Sequence, residues 1–331
     1  MLLDNARTPK ATLLSNLVAE VASPAMVGAL AIRSQAVSHE SEALRSIAIG
    51  IARSGKQHQL AVRVQRRMLL DHPLLDRIRK QAKGEVDIRY VGKIGKLETP
   101  ATLQKRRRPL VIGCSLGHHK ITAGTLGCFV RSRTTQATLI LSNNHVLANE
   151  NKAKAGDAIL QPGDIDGGKN PGDIVATLAK FIRMKPGKTN FVDCAVAQPA
   201  AGIAFNQKKL GGFGNLKGLG ADFLDEGANV KKVGRTTGET KGRVTAFELD
   251  NVVVGYDIGN LRFDNQVEIE GAGTRSFSDG GDSGSLIVTD ANLGVALLFA
   301  GGDSGGANGM GLTYANPLKM VLDALKVDLV F

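Results

Sequence analysis

The chain has 331 residues, 40 of them Gly and none Trp, with a formal net charge of +11. That length holds one large domain plus a smaller one, and a Gly-rich, aromatic-poor composition suits a β-rich body with many tight turns. Three Cys are too few, and odd in number, for a disulfide-stapled fold, and no stretch reaches the roughly 18–20 apolar residues of a membrane span. The best apolar run, residues 21–32, lies between Glu20 and Arg33, and an acidic residue before it does not suit a secretory leader. These features predict a cytoplasmic protein with reduced thiols and no membrane association.

The charge is unevenly placed. Residues 1–110 carry 20 Lys+Arg against 9 Asp+Glu, while residues 111–331 carry 22 of each. This predicts a basic N-terminal unit, residues 1–104, ahead of a neutral main domain, residues 105–331. Leu13, Leu14, Leu17 and Val18 give an amphipathic spacing within residues 8–40, read as one or two helices interrupted at Pro24. Residues 46–53 and 58–66 read as a hairpin around Ser54-Gly55-Lys56. Residues 73–83 read as a helix stopped by Gly84, and residues 85–92 as a third strand. The order helix, strand, strand, helix, strand is a small α+β unit suited to assembly or regulation. Tyr90 is its only aromatic residue, so a base-stacking surface for single-stranded nucleic acid is not supported. Residues 99–109, with Lys105-Arg106-Arg107-Arg108-Pro109, read as a linker.

From Val111 the texture changes to short strands between Gly, Asn and Asp clusters, the pattern of an all-β barrel. Residues 135–141 form an apolar strand that ends in Ser142-Asn143-Asn144-His145. A His where a buried strand meets a polar turn is exposed at a rim, so His145 is the candidate base. His118 and His119 are adjacent and face opposite ways in a strand, and no ligand spacing surrounds them, so no metal site is expected. Residues 163–170 carry two acids but no far-end Glu, which leaves an ordinary loop rather than a calcium site. Asp193 sits in the apolar run Val192-Asp193-Cys194-Ala195-Val196, where a carboxylate needs a partner. That makes it the candidate orienter of His145.

Residues 230–244 read as a Gly/Thr hairpin, and strands continue through 245–254, 261–264 and 266–270. Gly280-Gly281-Asp282-Ser283-Gly284-Ser285 then runs straight into the apolar Leu286-Ile287-Val288. A rigid turn ahead of a strand can hold a nucleophilic hydroxyl, so Ser283 is the candidate nucleophile. Gly302-Asp303-Ser304-Gly305 repeats the signature without an attached strand, with too little chain beyond it to close a barrel. Residues 293–302 read as a buried strand, and residues 318–326 as a C-terminal helix.

With these motifs in order His, Asp, Ser, the chain resembles the chymotrypsin-like serine peptidases over residues 110–331. Val233-Gly234-Arg235-Thr236-Thr237-Gly238 is similar to the bacterial secreted branch. Ser142-Asn143-Asn144-His145 and the preceding small domain are similar to bacterial trypsin-like proteins of the plant narrow-leaf type. The resemblance implies a mostly β fold of two perpendicular six-stranded barrels with the cleft between them, preceded by the α+β unit and closed by the helix. It implies a serine endopeptidase that hydrolyses protein or peptide substrates without a cofactor, using His145, Asp193 and Ser283. The N–H groups of Gly281 and Ser283 would bind the oxyanion. Phe277, Ser278 and Gly301 would line the specificity pocket and favour a small or apolar P1 side chain. Two departures stand out. No Ser or Thr in residues 296–302 backs Asp193, and the residue matching Asp282 pairs in animal enzymes with an N-terminus freed by cleavage. The reading preferred here needs no such cleavage. A regulatory protein partner and self-association stay open. The alternative is a catalytically silent protease-fold scaffold that contacts nucleic acid or an acidic partner through the basic N-terminal unit.

Overall fold

The computed structural model describes residues 2–22, 46–55, 57–92, 94–95, 102–222 and 224–331. The expectations at residues 23–45, at Lys56 and at residues 99–101 lie outside them.

The C-terminal half closes into a six-stranded antiparallel ring. Asn229–Gly234 pairs with Gly238–Asp250, which pairs with Gln266–Gly271, which pairs with Leu312–Pro317. Leu312–Pro317 pairs with Leu293–Gly302, then Leu286–Thr289, which returns to Asn229–Gly234. Closure pairs each strand of the ring on both sides, and only strand ends overhang it. Its interior is apolar, with Val230, Val244, Ile269, Phe277, Ile287 and Leu298 buried together. The first half forms an eight-stranded sheet that curls without completing a ladder around its rim. Single backbone bonds draw its open side together, Leu126 N–H to Cys114 O at 2.9 Å and Gly127 N–H to Leu141 O at 3.0 Å. The architecture is therefore mostly β, a closed barrel beside a curled half-barrel. This is the expected double-barrel architecture, its first member left as a curled half-barrel because strands such as Gly124–Thr125 span only two residues.

The C-terminal helix Leu318–Leu325 locks the halves together. Leu318, Val321, Leu322 and Leu325 follow the i, i+3, i+4, i+7 stripe and are all buried in one core with Leu116, Ile140, Leu286 and Leu297. Burying each contributes about 1.5–3 kcal/mol. The chain continues into Val327–Leu329, which pairs with Cys128–Ser132.

The N-terminal unit is welded to the closed barrel. Its first helix starts earlier than its apolar spacing suggests, at Leu3, and runs through Pro9. The hairpin Ile47–Ser54 and Gln57–Val64 is followed by the helix Pro73–Gln81 and the parallel strand Val86–Tyr90. Ile47–Ser54 then pairs with the far half of the thirteen-residue strand Gly238–Asp250, so one sheet runs from the unit into the barrel. Arg63, fully buried, faces Glu268 of the barrel at 2.8 Å and Asp87 of its own unit at 3.0 Å. Arg7 to Glu248 at 2.6 Å and Lys10 to Asp250 at 3.0 Å tie the first helix to the same strand. The second half of the Lys/Arg run is also pinned. Gln161 Oε1 accepts from Arg107 N–H at 2.9 Å and from the Arg108 guanidinium at 2.5 Å.

Candidate active site

After the strand Thr138–Ser142, Asn143 leads into the short helical turn Asn144–Leu147 carrying His145. Asp193 lies just before the strand Ala195–Pro199, and its carboxylate is fully buried. A buried carboxylate keeps its charge only with several donors. Oδ1 accepts from Asn144 N–H at 2.7 Å and His145 N–H at 3.2 Å. Oδ2 accepts from His145 Nδ1 at 2.5 Å and from the Tyr256 hydroxyl at 2.8 Å. Asn143 and Asn316 hold the backbone on either side. Asn143 Nδ2 donates to Asp193 O at 2.7 Å, and Asp193 N–H donates to Asn316 Oδ1 at 2.9 Å. With Nδ1 given to the carboxylate, the neutral imidazole offers Nε2 as its acceptor.

Tyr256 is the support that the sequence did not reveal. Its strand, Val252–Tyr256, belongs to the hairpin with Gly259–Phe263, and its ring centroid lies 5.8 Å from that of His145. Burial, and then the Asp193 charge, push the phenol well above its ordinary pKa, so it remains a donor.

Ser283 stands in a turn whose peptide planes are fixed from behind. Gly280 O accepts from the Thr236 hydroxyl, and Asp282 O accepts from Ser285 Oγ at 2.6 Å and Ser285 N–H at 2.9 Å. In a trans peptide the N–H points opposite to the C=O. The Gly281 and Ser283 N–H groups therefore turn to the other side, and among the described residues neither has a protein acceptor. Gly281 holds φ at +84°, and a Cβ there would stand 2.1 Å from the Arg235 guanidinium, so only Gly fits.

Asp282 anchors the turn. Its buried carboxylate accepts from Thr236 N–H at 2.9 Å, Thr237 N–H at 3.2 Å, Thr237 Oγ1 at 2.6 Å and Asp279 N–H at 3.0 Å. The Lys232 ammonium, fully buried, completes the set at 3.0 Å. Burial lowers the lysine below its ordinary pKa, and the Asp282 charge opposes that shift. Arg235 does something else: it meets Asp166 at 2.6 and 2.9 Å, and Asp166 also accepts from Ser115 Oγ at 2.5 Å. The loop read as ordinary thus bridges the two halves beneath Gly281.

Gly124 and Thr125 bring the parts together. Thr125 N–H donates to Ser283 O at 2.8 Å, and its hydroxyl donates to Gly281 O at 2.8 Å. A Cβ on Gly124 would lie 2.4 Å from Val146 Cγ2 and 3.1 Å from Ser283 O. The residue after His145 and the backbone of Ser283 therefore press on the same glycine. His145 and Ser283 are both nearly buried, at 8% and 7% exposure, on the floor between the halves.

Of the three pocket residues expected from the sequence, two flank the turn. Ser278 Oγ shares a 2.6 Å hydrogen bond with Thr313 Oγ1, and Gly301 pairs with Thr313 across the ladder. Phe277 is 1% exposed within the closed barrel's core, so its ring packs the floor. Ser304 lies beyond the end of Leu293–Gly302, against Gly92. Among the described residues no cluster of His, Cys, Asp or Glu could hold a metal ion.

By sequence the chain matches no family model and no curated protein. By structure it is similar to Thermobifida fusca protease A, with 17% identity, a TM-score of 0.47, and 67% of this chain and 98% of that one covered. It is similar to Nocardiopsis protease at 15% identity and TM-score 0.48, covering 67% and 99%. It is also similar to Cellulomonas bogoriensis chymotrypsin at 19% identity and TM-score 0.45, covering 67% and 98%.

Proposed function

We propose that the protein is a serine endopeptidase acting through Ser283, His145 and Asp193. One observation carries the reading: a fully buried Asp193 accepts a hydrogen bond from His145 Nδ1–H at 2.5 Å beside a turn that aims two N–H groups away from its anchors. In this mechanism Ser283 Oγ attacks the peptide carbonyl, and His145 Nε2 takes the hydroxyl proton and returns it to the leaving amine. Asp193 holds the ring tautomer and stabilises the imidazolium. The Gly281 and Ser283 N–H groups bind the developing oxyanion, fixed in place before the reaction. Lys232 supports the assignment of Asp282 as an internal anchor, since its cation comes from within the chain and needs no cleavage of a precursor. The neutral Ser278 and Thr313 hydroxyls fit an uncharged P1 side chain better than Lys or Arg.

The test is turnover of a peptide library. Ser283→Ala and His145→Ala should each lower kcat by roughly 10⁶-fold. Unchanged turnover in Ser283→Ala defeats the proposal.

A further inference from the structure

The chain places one of its own segments where a peptide substrate would dock. Leu293–Gly302 runs past the nucleophile turn: Gly284 N–H donates to Leu298 O at 2.8 Å, and Leu298 N–H donates to Ser285 O at 3.0 Å. Three residues further on, Gly301 and Gly302 form the end of that strand. One side of this end is taken by the barrel ladder, Gly301 opposite Thr313. The other side is an edge, and an extended peptide recognises such an edge by adding a strand to it.

That edge is occupied. Ile94–Gly95 pairs with it antiparallel, Ile94 opposite Gly302 and Gly95 opposite Gly301. On its far side Gly95 meets Gly255, one residue before Tyr256. The approach is close at residues 90–92. A Cβ on Gly302 would lie 2.9 Å from Val91 O, one on Gly92 would lie 2.3 Å from Ser304 Oγ, and one on Gly305 would lie 3.2 Å from Tyr90 O. Three glycines at these contacts let two backbones lie together where side chains would hold them apart. Ile94 is fully buried beside Val252, Val254 and Tyr256. Gln65 stitches the arrangement, accepting from Ile94 N–H at 3.3 Å and donating to Val253 O at 3.1 Å.

We propose that Ile94–Gly95 is a built-in competitor, docked on the strand edge that an extended peptide must use to reach Ser283. The inference rests on the peptidase reading. A competitor in the same chain acts at high effective concentration, so a substrate binds only as the segment leaves. The N-terminal unit has a role in this scheme: its welded sheet fixes the strand Val86–Tyr90, which feeds the competitor onto the edge. A small ester or a fluorophosphonate needs no strand edge and reaches Ser283 with the competitor in place.

The test compares the two kinds of reagent on the full chain. Gly95→Pro removes the backbone donor at the centre of the pairing, and Gln65→Ala removes the stitch without touching the edge. Each should raise kcat/KM for an eight-residue peptide, by roughly tenfold for the loss of one or two hydrogen bonds. The rate of fluorophosphonate labelling should stay within twofold of the parent. If the parent is labelled at Ser283 but both variants turn over the long peptide at the parental rate, the competitor is refuted while the peptidase reading stands. If the parent is not labelled at all, the peptidase reading itself fails. Faster labelling in step with faster peptide turnover also refutes the competitor, since it marks a general loosening of the site.

Discussion

Replacing Lys232 with Met tests the internal anchor of the nucleophile turn. The ammonium and the Asp282 carboxylate are both fully buried, 3.0 Å apart. Removing one member of such a pair strands the other charge, at a cost of about 3–5 kcal/mol. Asp282 would still keep four donors, from Thr236 N–H, Thr237 N–H, Thr237 Oγ1 and Asp279 N–H. That places the loss at the low end, about 3 kcal/mol. Urea denaturation of parent and variant measures it, with an unchanged m value showing that the same fold is unfolding. Adding Asp282→Asn to the variant should recover part of the loss, because no unpaired charge then remains buried. The turn should also relax, and labelling of Ser283 should slow in Lys232→Met. A loss below about 0.5 kcal/mol would refute the claim that this ion pair holds the turn.

Tyr256→Phe removes one hydrogen bond to the Asp193 carboxylate, worth about 1.5–3 kcal/mol, and should lower kcat/KM roughly tenfold; a change under twofold contradicts the supporting role. Arg63→Met strands Glu268 at the junction of the N-terminal unit and the barrel. It should cost about 3 kcal/mol in urea denaturation and expose residues 46–92 to limited proteolysis; an unaltered digest counts against the weld. Glu226, with a buried and unpartnered Oε2 among the described residues, is raised by burial to about 7. A carboxyl held protonated by the fold gives stability that is full below its unfolded value of about 4.3 and is lost as pH rises through about 7. Glu226→Gln should therefore gain about 1 kcal/mol over the parent at pH 8, after discounting for its partial exposure, and nothing at pH 4. Equal stability curves at both pH values would show that the carboxyl is solvated.

The residues whose chemistry is local were legible in the sequence. His145 at the end of an apolar strand, Asp193 in an apolar run and Ser283 ahead of one each stand out against their neighbours, and the fold brings their segments together. What was hidden depends on distant contacts. Tyr256 is 63 residues from Asp193, and nothing in Val252–Tyr256 marks its hydroxyl as anything but a strand residue. Lys231 and Lys232 lie side by side in the hairpin, and strand alternation separates them. Lys231 extends over the Phe213 ring at 5.0 Å, while Lys232 turns inward to Asp282. Asp166 looked like one of two acids in a loop, because its partner Arg235 lies 69 residues on. Ile94–Gly95 and Val327–Leu329 are two and three residues long, too short for periodicity to register.

The central claim is that Ser283 is an activated nucleophile, and covalent labelling tests it most directly. The full chain is treated with a fluorophosphonate at pH 7.5 and the adduct is located by mass spectrometry of a digest. The account predicts one adduct per chain, on Ser283, absent from Ser283→Ala and strongly slowed in His145→Ala. No adduct on the parent chain, or an adduct on Ser304 that persists in Ser283→Ala, would contradict it.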